Sequence, residues 1–120
     1  ITTPAVRGPM ECSEQRDGDV LILSPSGRID SKTAKEFETR LLGRIEAGEP
    51  AVLVDCGALE FISSAGLRVL LMAAKRQKAA GGRFGLFAVR ENIREVLEVS
   101  GFDRILAIWP GRGEAMAAQR

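Results

Sequence analysis

Histidine is absent from this 120-residue chain, and that absence excludes more than any residue present. No Ser-His-Asp or Cys-His nucleophile and base can be assembled, and the commonest zinc ligand is missing. Carboxylates, lysines and hydroxyls remain, so enzymatic chemistry is narrowed and not abolished. Tyrosine is also absent, and five Phe and one Trp are too few to build a stacking platform for single-stranded nucleic acid. The two cysteines, Cys12 and Cys56, make no disulfide framework and have no metal-ligating sequence neighbours. They fit a reducing cytoplasm. No apolar run approaches the roughly 18 residues that span a bilayer, and no signal-peptide pattern is visible. A formal net charge of +1 sets up no global field toward nucleic acid or membrane. The chain opens on Ile1 and not Met, so an upstream part is expected.

What is present is ordinary for a globular protein: 45% hydrophobic and 28% charged residues, in a length that suits one domain. The organising stretch is Ala51 to Met72, AVLVDCGALEFISSAGLRVLLM. It reads as a buried strand Ala51–Val54 ended by Asp55 and Gly57, a short loop, two serines and a helix. Around it, residues 1–9 form a flexible lead-in and residues 10–120 the domain. Met10–Arg16 reads as an edge strand, Asp17-Gly18-Asp19 as a hairpin turn, and Val20–Leu23 as an interior strand. Ser24-Pro25-Ser26-Gly27 breaks or bends that strand before Arg28-Ile29-Asp30. Asp30 or Ser31 then caps a helix from Lys32 to about Ala47, with Ala34, Phe37, Leu41 and Ile45 at helical spacing. Gly81-Gly82 ends the second helix. Phe84–Val89 is a strand in which Gly85 marks a close backbone approach. Glu91–Val99 is a helix with Ile93, Val96 and Leu97 inward, Ile105–Trp109 a last strand, and Gly113–Arg120 a terminal helix.

The expected fold is therefore a single α/β domain, a mixed sheet of four to five strands with packed helices, in the order β-β-α-β-α-β-α-β-(α). In such sheets sites collect at the carboxyl ends of the parallel strands, where Asp30, Asp55 and Ser63-Ser64 are expected to gather. Ser63 is the better N-cap, and Ser64 falls at the first helical position. Two readings of Ser64 stay open: plain capping chemistry, or a modifiable hydroxyl. A phosphate there would add about −1.5 to −2 charge at a terminus whose dipole tolerates it. With Leu67, Leu70, Leu71 and Ala74 as the core stripe, the opposite face carries Ala65, Val69, Met72 and Arg76, flanked by Arg68 and Lys75. That face is either a partner surface or a pair of scattered surface apolar residues.

Gly27–Asp30 (GRID), the strand VLVDC, LEFISSAGLRVLLMAAK and EVLEVSGFDRIL together resemble the STAS family of anti-sigma factor antagonists, over about Met10 to the C-terminus. The resemblance implies a mixed sheet with packed helices and, in regulatory members, a partner-switching cycle. The unphosphorylated antagonist binds an anti-sigma factor that is also a serine kinase. Phosphorylation breaks the complex and a serine phosphatase resets it. By position the phosphoacceptor is Ser64, with Ser63 the second choice, and Asp30 matches an acidic residue beside it. Many members carry Asp where this chain has Ser63, which removes a local negative charge. The implied partner face comprises Asp30, Ser63, Ala65, Arg68, Val69, Met72 and Arg76. No cofactor, metal, direct nucleic-acid contact or membrane insertion is expected of a bacterial cytoplasmic protein of this kind. Two other readings compete: a STAS subunit of a transport or signalling complex in which Ser64 only caps, and a small-molecule enzyme. For the latter no GxxxxGK[ST] or GxGxxG run is present.

Overall fold

The computed structural model of the chain describes residues 10–119, so the lead-in expected at 1–9 lies outside the described residues. Strands β1 (Met10–Asp17) and β2 (Val20–Ile29) form the hairpin, with Gly18 at φ +62° in the two-residue turn. Then follow α1 (Ala34–Glu46), β3 (Ala51–Asp55), β4 (Leu59–Ile62), α2 (Ser64–Ala79), β5 (Arg83–Phe87), α3 (Glu91–Val99), a 3₁₀ turn at Phe102–Arg104, β6 (Ala107–Trp109) and α4 (Arg112–Ala117). The sheet runs β1-β2-β3-β5-β6, with β4 also on β2. Only β1 is antiparallel to its neighbour.

The mixed α/β architecture is as the sequence implies, with six strands where four to five were expected. The extra strand is β4, a stretch that reads as a short loop in the sequence. β2 pairs first with β3, at Val20–Leu23, and then with β4, at Gly27–Ile29. β3 and β4 therefore lie end to end along one side of β2, joined by a jog at Cys56-Gly57-Ala58.

The same arrangement explains why Ser24-Pro25-Ser26-Gly27 does not break β2, which pairs with β1 without interruption from Val20 to Gly27. The Gly27 N–H points to the β3/β4 side, where it donates to the Ala58 carbonyl at 3.0 Å. By two-residue alternation the nitrogen of Pro25 faces that side too, in the gap between β3 and β4, where no ladder bond is lost.

One sheet face carries most of the core, where Phe37, Leu41 and Ile45 of α1 and Leu67, Val69, Leu70 and Ala73 of α2 cover Leu21, Leu23, Val52, Val54 and Leu86. Among the described residues the other face is covered by α4, whose Ala115 packs on Val20, Ile22, Ala51, Leu53 and Phe87. Gly85 does mark a close approach: any Cβ there would collide with the Trp109 ring. One inward assignment and one strand start are corrected. Val96 is 41% exposed because only Ile93 and Leu97 of α3 reach the core. Ile105 is 53% exposed because the 3₁₀ turn delays the last strand until Ala107. Among the described residues no helix is long and apolar enough to cross a membrane.

Candidate functional site

β2 and β4 end side by side, with Ile29 paired to Ile62, so Asp30 and Ser63 follow on adjacent strands. The Ser63 N–H donates to the Ile29 carbonyl at 2.7 Å and holds the two chain exits together. Ser63, with extended backbone, is the N-cap of α2: its Oγ accepts from the Gly66 N–H at 3.2 Å. Such a cap contributes about 1 kcal/mol. Ser64 is the first helical residue, exposed, and its hydroxyl has no partner among the described residues. The first turn of α2 has no acidic side chain, so the positive end of its dipole is uncompensated there.

Gly66 explains why the helix start sits so close to the strands. A Cβ at this position would lie 2.6 Å from Ile62 Cγ1 and 2.7 Å from Ile29 Cγ2, closer than carbon atoms pack. The glycine lets α2 begin directly on top of the β2 and β4 ends, with Ser64 turned outward.

Asp30 is committed locally. Its Oδ1 accepts from the Lys32 N–H at 2.9 Å and the Thr33 N–H at 3.1 Å, while its own N–H donates to Thr33 Oγ1 at 2.9 Å. Thr33 Oγ1 also donates to the Arg28 carbonyl at 3.0 Å. The formal N-cap of α1 is Thr33, yet it is the Asp30 carboxylate that satisfies the amides ahead of the helix. Those backbone donors, with the Thr33 hydroxyl and the nearby Arg28, hold the Asp30 carboxyl below its ordinary range.

Asp55 does not join this cluster. β2 and β3 are in register at Leu23 and Val54, which places Asp55 level with Ser24. Asp30 lies six residues further along, roughly 20 Å at 3.3 Å per residue. Asp55 Oδ1 instead accepts from the Gly57 N–H at 3.0 Å and shapes the jog into β4. The jog is also fastened from α3, through Arg90 Nε to the Gly57 carbonyl at 3.1 Å and Asn92 Nδ2 to the Glu60 carbonyl at 3.1 Å. An Asp30–Asp55 acid pair is thus excluded by register.

The helix face needs correction as well. Gly66, Leu67, Val69, Leu70, Ala73 and Gln77 form the buried arc of α2. At about 100° per residue, this arc is rotated roughly a quarter turn from the stripe read in the sequence. Val69, only 3% exposed, belongs to the core and not to an outward face, and Leu71 is partly exposed in its place. Ala65 and Met72 are half-buried against the core edge. Arg76 pairs with Glu46 of α1 at 2.8 Å, twelve residues and roughly 18 Å along the axis from Ser64. The outward line is instead Ser64, Arg68, Leu71 and Lys75, at positions i, i+4, i+7 and i+11. Arg68 is exposed and forms no ion pair among the described residues.

Two residues beside the serines were not singled out by the sequence reading. Arg28 and Phe61 face each other across β2 and β4, and the guanidinium carbon stands 4.4 Å from the centre of the Phe61 ring. The aromatic in LEFISS is the available signal, and it falls in a stretch that reads as a short loop. Neither cysteine is a reactive centre. Cys56 is buried and its thiol pushed up to about 12 by desolvation. Burial also raises Cys12, against the lowering effect of Arg40. Among the described residues no group of three or more acidic or sulfur ligands could hold a metal ion.

Comparison with known proteins agrees with this architecture. Residues 13–115 match the family model described as the STAS domain. BtrV of Bordetella bronchiseptica, whose name assigns it provisionally to the anti-sigma factor antagonists, is 36% identical over 109 residues, covering 91% of this chain and 94% of the relative. The anti-sigma-F factor antagonist RsfB of Mycobacterium tuberculosis is 31% identical over 103 residues, covering 84% and 82%. The crystal structure of an anti-sigma factor antagonist from Mycobacterium paratuberculosis superposes with a TM-score of 0.85 at 26% identity, over 100% of this chain and 99% of the other. These relatives are named for a regulatory role and not for an enzymatic one. With most of its length matched and the sheet, cap and helix geometry in place, the chain belongs to the STAS domain family.

Proposed function

We propose that this protein is an anti-sigma factor antagonist of the bacterial cytoplasm that binds an anti-sigma factor with serine-kinase activity. It does so in its unphosphorylated form and is released when the kinase phosphorylates Ser64, regulating transcription by partner switching. A serine phosphatase restores the binding form. The observation that carries this reading is the division of labour between the two serines. Ser63 is used by the fold, its Oγ accepting from the Gly66 amide at 3.2 Å, whereas Ser64 is exposed and its hydroxyl has no partner among the described residues.

The physics favours a switch that leaves the fold intact. A phosphate on Ser64 would sit at the positive end of α2, where an anion stabilises by about 0.3–1 kcal/mol. The charge is therefore tolerated by the protein and felt by whatever lies against Ser64, Ala65, Arg68 and Met72. Asp30, fixed beside Ser63 and ionised, is part of that surface.

The test is binding to the cognate anti-sigma factor measured calorimetrically for three proteins. The wild type and Ser64→Ala should bind alike, and Ser64→Asp should keep its melting temperature while losing the complex. Equal binding by all three would refute the switch.

A further inference from the structure

Phe61 is the one aromatic among the large hydrophobic side chains that stand exposed in the described residues, at 36% exposure. Its exposure has a specific structural cause. Leu59 pairs with Gly27 and Phe61 with Arg28, so two steps on β4 match one step on β2. This bulge places both Glu60 and Phe61 on the outside, between buried Leu59 and Ile62. Without the bulge, strict alternation would set one of the two on the core side.

The ring is also preset. The Arg28 guanidinium lies 4.4 Å from its centre, which restrains ring and arginine in one arrangement and leaves the cation facing solvent. Arg28, Lys32 and Arg68 at this end of the sheet have no carboxylate at ion-pair distance among the described residues. Asp30, the acid closest in sequence to Arg28, is spent on its own backbone. An exposed aromatic under an Arg28 guanidinium that has no ion-pair partner among the described residues, three residues before Ser64, has the composition of an interface anchor: Arg and aromatic residues dominate such hot spots.

We infer that Phe61, held by Arg28, is an anchor of the partner interface. It enters an apolar pocket of the anti-sigma factor rimmed by a carboxylate that takes the Arg28 guanidinium. This rests on the reading under Proposed function and deepens it, because it adds a pair on β2 and β4 that contacts the partner. The pair extends the surface from Ser64 across the ends of β2 and β4.

The experiment uses the full chain, unphosphorylated, and the purified anti-sigma factor of the same genome that carries an ATP-binding serine-kinase domain. Phe61→Ala should weaken binding by about thirtyfold, the scale of a hot spot. Phe61→Leu should fall between it and wild type, and Arg28→Glu should weaken binding and flatten its dependence on salt. Val99→Ala, at the 89% exposed end of α3, should bind as wild type does. Thermal melting of each variant separates contact from folding. Wild-type affinity in Phe61→Ala, while Ser64→Asp has lost the complex, would overturn the anchor and leave the switch standing. Wild-type affinity in Ser64→Asp would instead overturn the switch, and absence of binding by the wild type would overturn both.

Discussion

The two ends of α2 are built in opposite ways. At its C-terminal end Gln77 is 1% exposed, and its Nε2 donates to the Glu49 carbonyl at 2.8 Å and the Arg83 carbonyl at 3.2 Å. Gly82 lies so close that a Cβ there would be 2.7 Å from the Gln77 amide. That end ties α2 to the α1–β3 and α2–β5 connections, with the Gln77 side chain committed to the fold. At the N-terminal end the underside is equally tight, with Gly66 against Ile29 and Ile62, but the outer side holds a single cap and, among the described residues, an unused hydroxyl. The difference teaches where function can reside without cost to the fold. A group can be modified only where the fold does not depend on it.

Ways to break this contrast follow in order of size. Gln77→Leu should cost most, about 2–4 kcal/mol, because two part-buried carbonyls lose their donor. Chemical denaturation reads it, and a loss under 1 kcal/mol would mean that the clamp is slack. Gly66→Ala should cost about 1–3 kcal/mol through overpacking, and it should push α2 outward, shifting the Ser63 and Ser64 amide resonances. Ser63→Ala should cost about 1 kcal/mol as a lost cap, whereas Ser64→Ala should change stability by less than about 0.5 kcal/mol. Equal losses for the two serines would erase the division between them.

The smallest effect is a dependence on acid. The folded Asp30 carboxyl is depressed, chiefly by the Thr33 and Lys32 amides, so its contribution is present above the unfolded value and is lost as pH falls through the folded one. Asp30→Asn should flatten that acid limb of the stability curve, and an unchanged limb would remove Asp30 from the account.

How much of this was legible beforehand depended on whether apolar periodicity carried the signal. α1 was readable because Ala34, Phe37, Leu41, Leu42 and Ile45 are all apolar and all buried. α2 misled because its buried arc includes Gly66 and Gln77, residues that do not look like core. Gly66 is there for close approach and Gln77 for its hydrogen bonds, so the visible leucines pulled the inferred stripe toward Leu71 and away from Val69. β4 was missed since its bulge replaces alternation with two outward residues, and Phe61 was missed with it. Asp55 was grouped with Asp30 because a sequence shows strand ends but not register, and only the stagger of β3 and β4 along β2 separates them. The Ser63–Ser64 pair was legible because capping depends on the residues next to the helix start and on little else.

The most direct measurement is the site of phosphate transfer. The full chain is incubated with the proposed anti-sigma factor kinase and ATP, and the product is mapped by fragmentation mass spectrometry beside Ser64→Ala and Ser63→Ala. The account predicts one phosphate, on Ser64, retained in Ser63→Ala and lost in Ser64→Ala. A phosphate on Ser63 or elsewhere, or none at all, would contradict it.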